Sequence, residues 1–268
     1  MASDKRIRLD SLLAERGLYA SRSRAAAAVI AGDVHLGVGR RRAEKPGQLV
    51  PADVELDVTR PPPFVSRGGI KLANALDARG VPVAERRCLD VGASTGGFTD
   101  CLLQRDAAHV VALDVAYGEL HWSLRDHERV TVLERVNARR LMPQDLPYAP
   151  ELVVADVSFI SLVKVLPAVL GCVALEGFDV LAMIKPQFEV GREQIGKGGV
   201  VRDPALRREA LAGVADAALE AGTAVLGFAS SGLPGPKGNL ETFIHLAEAG
   251  RGDAVADLGA AIREVEPS

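Results

Sequence analysis

Short apolar runs punctuate the chain beyond residue 87, at 88–91, 109–113, 130–133, Leu152–Ala155, 178–184, 224–229 and 242–246. Each is too short for a buried helix and is bounded by turn residues, so each reads as a strand covered on both faces. Helical patterns fall between the runs. One opens at 66 and reaches 79, with Ile70, Leu72, Ala73 and Leu76 available for packing. Another follows residue 97 through Phe98, Leu102 and Leu103, and a third covers 118–126 with the single tryptophan, Trp122. A long amphipathic helix is expected over 204–221, and the tail at 253–265 reads as helical. Strands and helices alternating at this spacing predict an α/β fold, a mostly parallel seven-stranded sheet with helices on both faces.

Residues 1–59 follow a different pattern. Ile7, Leu9, Leu12, Leu13 and Gly17 outline a short helix ended by glycine, and Ser21 is placed to cap a second, Arg22–Ala31, closed by Gly32. Strands are expected at Val34–Leu36 and 55–58, with turns at 37–39 and 45–47. This is a small α+β module. Arg60-Pro61-Pro62-Pro63 can continue neither helix nor central strand, so 60–65 reads as a stiff linker and 66–268 as the second domain.

Charge sharpens this division. The net charge of −3 hides 11 Lys/Arg against 8 Asp/Glu in residues 1–60, with 21 against 27 in the remainder. A basic head on an acidic body suits a polyanion-binding module joined to something else. Arg22 and Arg24 lie at the start of the second helix, and Arg40, Arg41, Arg42 and Lys45 follow the first strand. Three widely spaced cysteines form no C-x-x-C pair, which suits a reducing compartment. The first residues carry no apolar leader and no window approaches a membrane span, so a cytoplasmic protein is expected and a membrane-active one is not.

The candidate chemistry sits at the strand ends. Asp90-Val91-Gly92-Ala93-Ser94-Thr95-Gly96-Gly97-Phe98 is a strand, a glycine turn and a helix start, the arrangement that opens a nucleotide site. The G-x-G-x-x-G spacing is absent and no Lys-Ser or Lys-Thr follows, so neither a dinucleotide nor a P-loop phosphate is expected. An adenosine cofactor without a pyrophosphate remains, and S-adenosylmethionine fits. Asp114, 22 residues past Gly92, falls where an acid holds ribose hydroxyls. Asn137 is placed to reach the adenine edge. Asp156 and Lys185 end further strands, and Glu241 reaches the same rim if the last strand is antiparallel. Lys71, expected in the first turn of its helix, opposes the helix dipole there and needs a reason. Two lysines and two carboxylates around a sulfonium suit activation of a weakly acidic hydroxyl: Lys185 as activator, Asp156 and Glu241 orienting it, Lys71 in support. A glycine-rich segment, 191–200, reads as a lid. A base-methylating clamp is not in view, because Asp156 is followed by Val157-Ser158-Phe159 and no cysteine falls at the rim.

Several of these motifs also resemble known families. Arg8-Leu9-Asp10-x-Leu12-Leu13, Ser21-Arg22-Ser23-Arg24-Ala25 and Ala31-Gly32-Asp33-Val34 are similar to the RNA-binding domain of ribosomal protein S-four, although Leu36-Gly37-Val38-Gly39 replaces its usual Val-Asn-Gly-like turn. Ser66-Arg67-Gly68-x-x-Lys71-Leu72, the glycine turn, Ala155-Asp156-x-Ser158-Phe159-Ile160 and Ile184-Lys185-Pro186-Gln187-Phe188-Glu189 resemble the FtsJ-like 2′-O-methyltransferases, with Phe98 where FtsJ has Trp. Head and body together resemble the TlyA family, which also carries an older haemolysin label. The resemblance implies a Rossmann-like S-adenosylmethionine-dependent methyltransferase fold and the tetrad Lys71, Asp156, Lys185 and Glu241. It implies cofactor contacts from Asp90, Gly92, Ala93, Ser94, Gly96, Gly97, Phe98, Asp114, Asn137 and Asp156, with no metal. Arg8, Arg22, Arg24, Arg40, Arg41, Arg42, Lys45 and Arg67 are implied in RNA contact. Family membership further implies 2′-O-methylation of cytidine in rRNA of both ribosomal subunits, and sensitivity to capreomycin-type antibiotics.

Overall fold

The structure, a computed structural model, describes residues 6–19, 21–58, 63–196 and 198–266. The chain divides into two compact units, Met1–Pro63 and Phe64–Ser268. Residues 60–62 of the expected linker lie outside the described residues.

In the first unit, α1 (Leu9–Glu15) and α2 (Arg22–Ala31) pack over a core of Leu9, Leu12, Leu13, Ala25, Val29 and Val34. Both expected signals around α2 hold. Ser21 Oγ accepts the Arg24 N–H at 3.3 Å, and Gly32 closes the helix at φ 92°. More strand forms than the hydrophobic pattern predicts. β1 (Arg6–Arg8) pairs antiparallel with β4 (Leu49–Pro51), while β2 (Val34–Leu36) pairs with β3 (Arg41–Arg42) and β5 (Leu56–Val58). Ile7 therefore belongs to a strand rather than to the first helix. Two- and three-residue strands rich in arginine leave almost no apolar period, and only backbone pairing reveals them.

Among the described residues the second unit holds a seven-stranded sheet in the order β11-β12-β10-β9-β6-β7-β8. Strands β6 (Arg87–Val91), β9 (Leu152–Ala155), β7 (His109–Asp114), β10 (Asp179–Ile184) and the edge strand β8 (Val130–Glu134) run parallel. β12 (Thr242–Glu248) runs antiparallel to β10 and to β11 (Thr223–Ser230). Two apolar layers sandwich the sheet. One is built on α3 (Arg67–Arg79) and α4 (Gly97–Gln104), the other on α6 (Leu166–Leu170), α8 (Pro204–Glu220) and α9 (Leu258–Val265). Full burial of β9 and β10 explains why they read as unbroken apolar runs.

Two expected helices are shorter than the pattern suggests. The helix over 118–126 contracts to α5 (Trp122–Arg125): Gly118 sits at φ 78°, and His121 Nδ1 caps the start by accepting the Ser123 N–H. The tail helix begins at Leu258 because Asp257 caps it through the Ala260 N–H. Lys71 is the fifth residue of α3, past the first turn, so the dipole argument made for it weakens. The glycine-rich 191–200 segment contains a 3-10 turn at Arg192–Gln194 and a Gly196–Val200 bridge.

Candidate active site

The parallel strands all end at one rim, and there the backbone makes its close approaches. Gly92 turns at φ 85°, and a Cβ on it would lie 2.6 Å from the Asp156 carbonyl oxygen. A Cβ at Gly97 would meet Ser66 Oγ at 2.2 Å and the Gly69 nitrogen at 2.8 Å, so the starts of α3 and α4 touch only because residue 97 has no side chain. These contacts bring Lys71 of α3 beside the glycine turn.

Two lysine–carboxylate pairs meet at this rim. Lys71 Nζ pairs with Glu241 Oε2 just ahead of β12, and both side chains are buried. Lys185 Nζ, one residue past β10, lies 2.6 Å from Asp156 Oδ1 and donates to Ser158 Oγ at 2.7 Å. Gly235 leaves room for Glu241, whose Oε1 would be 2.4 Å from a Cβ there. The Gly235 turn is itself held by Asn239. Its side chain accepts the Val201 N–H at 2.9 Å and donates to the Gly199 carbonyl at 2.8 Å, fastening the glycine-rich segment beside Glu241.

Three cavities converge on these pairs. The first, about 410 Å³, lies between Arg67, Lys71, the glycine turn with Phe98, Asp156, Lys185 and Glu241. The second, about 450 Å³, runs from Gly92 and Ser94 past Asp114 and Asn137 to Asp156 and Phe159. The third, about 380 Å³, is walled by Phe159 and Phe188, with Ser158, Lys185, Lys237 and Glu241 around it. Asp114 accepts the Ser94 and Ala116 N–H groups at 2.8 Å each, which aims the loop after β7 across the cleft. Among the described residues no lysine or arginine lines the Asp114–Asn137 cleft, while Asp114, Glu119 and Asp156 do. This donor set fits an uncharged nucleoside carrying a cationic group, and S-adenosylmethionine is such a molecule.

The structure brings together most of the residues expected here and separates two. Lys71, Asp156, Lys185 and Glu241 surround the first cavity, and Gly92, Ala93, Ser94, Gly97, Phe98, Asp114 and Asn137 line one cleft or the other. Asp90 and Gly96 line neither. Asp90 is fully buried behind the turn, where Thr99 Oγ1 donates to its Oδ2 at 2.7 Å and, among the described residues, Oδ1 has no hydrogen-bond partner. Burial pushes its carboxyl up to about 7, against the Thr99 hydrogen bond. Gly96 is required by packing, since a Cβ would strike Leu124 and Leu120.

In the first unit Arg8, Arg22, Arg24, Arg40, Arg41, Arg42 and Lys45 are all exposed. Arg8 and Arg22 share Asp10, whose carboxyl they hold down to about 2, and Arg40 pairs with Asp57 at 2.6 Å. Arg67, on the second unit, is exposed and donates to the Pro234 carbonyl at 2.9 Å.

Residues 64–248 match the model of the FtsJ-like methyltransferase family. The chain belongs to this family. It is also 50% identical, over 90% of both chains, to the 16S/23S rRNA (cytidine-2'-O)-methyltransferase TlyA of Mycobacterium tuberculosis. Hemolysin A of Brachyspira hyodysenteriae is 37% identical, over 89% of this chain and 99% of its own. A solved hemolysin structure from Streptococcus thermophilus superposes with a TM-score of 0.71 at 36% identity, covering 97% of this chain and 95% of that one. This TlyA-type member of the FtsJ-like family is thus an S-adenosylmethionine-dependent methyltransferase. Among its described residues no helix is long and apolar enough to cross a membrane.

Sequence reasoning missed part of this FtsJ-like site. Phe159 and Phe188, to which the motifs give no role, pack with ring centroids 5.5 Å apart at a 49° tilt and wall the third cavity. Ser158 at Lys185 and Asn239 beside Glu241 take their places only through the fold. An aromatic three residues past the strand-end acid Asp156 is the available signal.

Proposed function

We propose that this protein transfers the methyl group of S-adenosylmethionine to the 2′-hydroxyl of cytidine in ribosomal RNA. One observation carries the reading: Lys185 lines both the first cavity and the Phe159–Phe188 cavity, flanked by Asp156 and Ser158. A lysine so placed faces the Phe159–Phe188 cavity and the first cavity, which shares Gly92, Ser94 and Asp156 with the Asp114–Asn137 cleft. The name of the Mycobacterium tuberculosis relative supports the substrate.

The bound cofactor supplies an electrophilic methyl on a sulfonium. Lys185 would take up the proton of the 2′-hydroxyl as the oxygen–methyl bond forms and the sulfur–methyl bond breaks. Asp156 steadies the resulting ammonium. Lys71 and Glu241 neutralise one another and fix the opposite wall of the first cavity. Holding hydroxyl and methyl in line supplies much of the acceleration. The Phe159 and Phe188 rings offer a stacking platform for the cytosine of an extruded nucleotide. The exposed arginines of the first unit, with Lys45 and Arg67, meet RNA phosphates, which positions the chain without reading sequence. A cytoplasmic enzyme acting on both subunits, with an effect on capreomycin-type sensitivity, completes the proposal.

The test is labelled methyl transfer to purified small and large ribosomal subunits, followed by nucleoside identification. We expect 2′-O-methylcytidine, and for Lys185→Ala a loss of about 10³-fold or more with cofactor binding retained. Label in a base, or no transfer by a protein that binds the cofactor, would overturn the substrate assignment.

A further inference from the structure

The loop 156–162 leaves β9 and carries three groups of the site, Asp156, Ser158 and Phe159. Phe159 is held at φ 64° with its side chain 92% exposed. A left-handed phenylalanine in open solvent persists only where its neighbours over-determine the backbone. The loop is tied to residues 185–189, which end in the short helix α7 (Pro186–Glu189), at three points. Lys185 contacts Asp156 and Ser158, the Phe188 ring packs at a tilt against Phe159, and Glu189 takes the far end. Glu189 Oε2 accepts the Ser161 hydroxyl at 2.6 Å, and Oε1 accepts the Leu162 N–H at 2.8 Å. Its carboxyl is largely withdrawn from water, and burial raises it above the ordinary range despite these two donors. Glu189 lines none of the three cavities at the rim.

We infer that Glu189 is a positioning residue: by closing the 156–162 loop onto α7 it sets the separation between Lys185 and the exposed Phe159 ring. One polar side chain thus fixes the reacting end and the stacking end of the site relative to each other. The kinetic half of the inference rests on the methyl-transfer reading, and the exchange half does not.

The test compares full-length Glu189→Ala and Glu189→Gln with wild type, by hydrogen exchange over residues 158–163 and by methyl transfer to ribosomal subunits. In Glu189→Ala the segment should exchange about 10-fold faster or more, and kcat should fall roughly 10- to 100-fold, while each chain still binds one S-adenosylmethionine. Glutamine can accept the Leu162 N–H and donate to Ser161 Oγ, so Glu189→Gln should stay within about threefold on both readouts. Unchanged exchange in Glu189→Ala overturns the inference whether or not RNA is methylated. Faster exchange with wild-type kcat overturns it as well, and so does equal loss in the alanine and glutamine variants. If wild type transfers no methyl group, the substrate reading falls, and the exchange result alone decides whether Glu189 holds the loop.

Discussion

Strand β10 carries a buried charge cluster at each end, and the two are built differently. At its start, Asp179 receives Arg86 at 2.7 Å, His245 at 2.9 Å and Arg251 at 3.5 Å. Arg86 also donates to the carbonyls of Glu151 and Gly177, and Arg251 to that of Phe178. The Asp179 carboxylate and both guanidinium groups are each met by several partners. Just past the other end, Lys185 has three donors and meets Asp156 and Ser158, with cavities on either side. The saturated cluster fastens strand ends together. The open one keeps hydrogen-bonding capacity for a molecule that is not part of the chain. Buried charge alone therefore does not mark a site; unfilled capacity beside a cavity does.

The largest effect expected from this contrast is on stability. Asp179→Asn leaves Arg86 without its counter-charge, while Arg251 keeps Glu248, and should cost about 3–5 kcal/mol in a denaturant melt. Methyl transfer per folded molecule should stay within about twofold of wild type, whereas Lys185→Ala should do the reverse. Loss of specific activity in Asp179→Asn would erase the distinction. Acid should act the same way. Burial alone would raise Asp179, but His245 and Arg86 outweigh it and hold the carboxyl below the ordinary range. Its contribution is present above the usual aspartate pKa and is lost as pH falls through the lowered value.

Asp90 should show the opposite slope. Its folded carboxyl titrates at about 7, whereas the unfolded chain ionises near 4. Stability is then full below about pH 4 and declines as pH climbs to about 7, by up to about 4 kcal/mol. Asp90→Asn should flatten that decline, so its melting temperature gains on wild type at pH 8 and not at pH 4. A difference independent of pH would count against a protonated Asp90.

The smallest effect is expected at the open end. Phe159→Ala removes an exposed ring, so stability should change by less than about 0.5 kcal/mol. KM for ribosomal RNA should nevertheless rise roughly 5- to 100-fold, the worth of one stacked base. An unchanged KM would remove Phe159 from the substrate platform.

Some of this was legible in the chain itself. Local rules operate within a few residues, so the α2 cap at Ser21, its glycine stop, and the apolar runs of β9 and β10 could be read directly. The strand-end acids and Lys185 were legible for the same reason: a parallel sheet delivers the ends of its strands to one rim. Other features depend on residues distant in sequence. Two- and three-residue strands in the first unit exist only through pairing with partners far along the chain. Asp90 looked like a ligand contact by its motif, and only packing placed it behind the turn. That Glu241 pairs with Lys71, and that Glu189 reaches back to Ser161 and Leu162, follows from the sheet topology. Sequence alone determined which chemistry the chain carries and at which strand ends. Only the tertiary structure decided which charges are closed off and which remain open, because that is set by side chains converging from elements up to 170 residues apart.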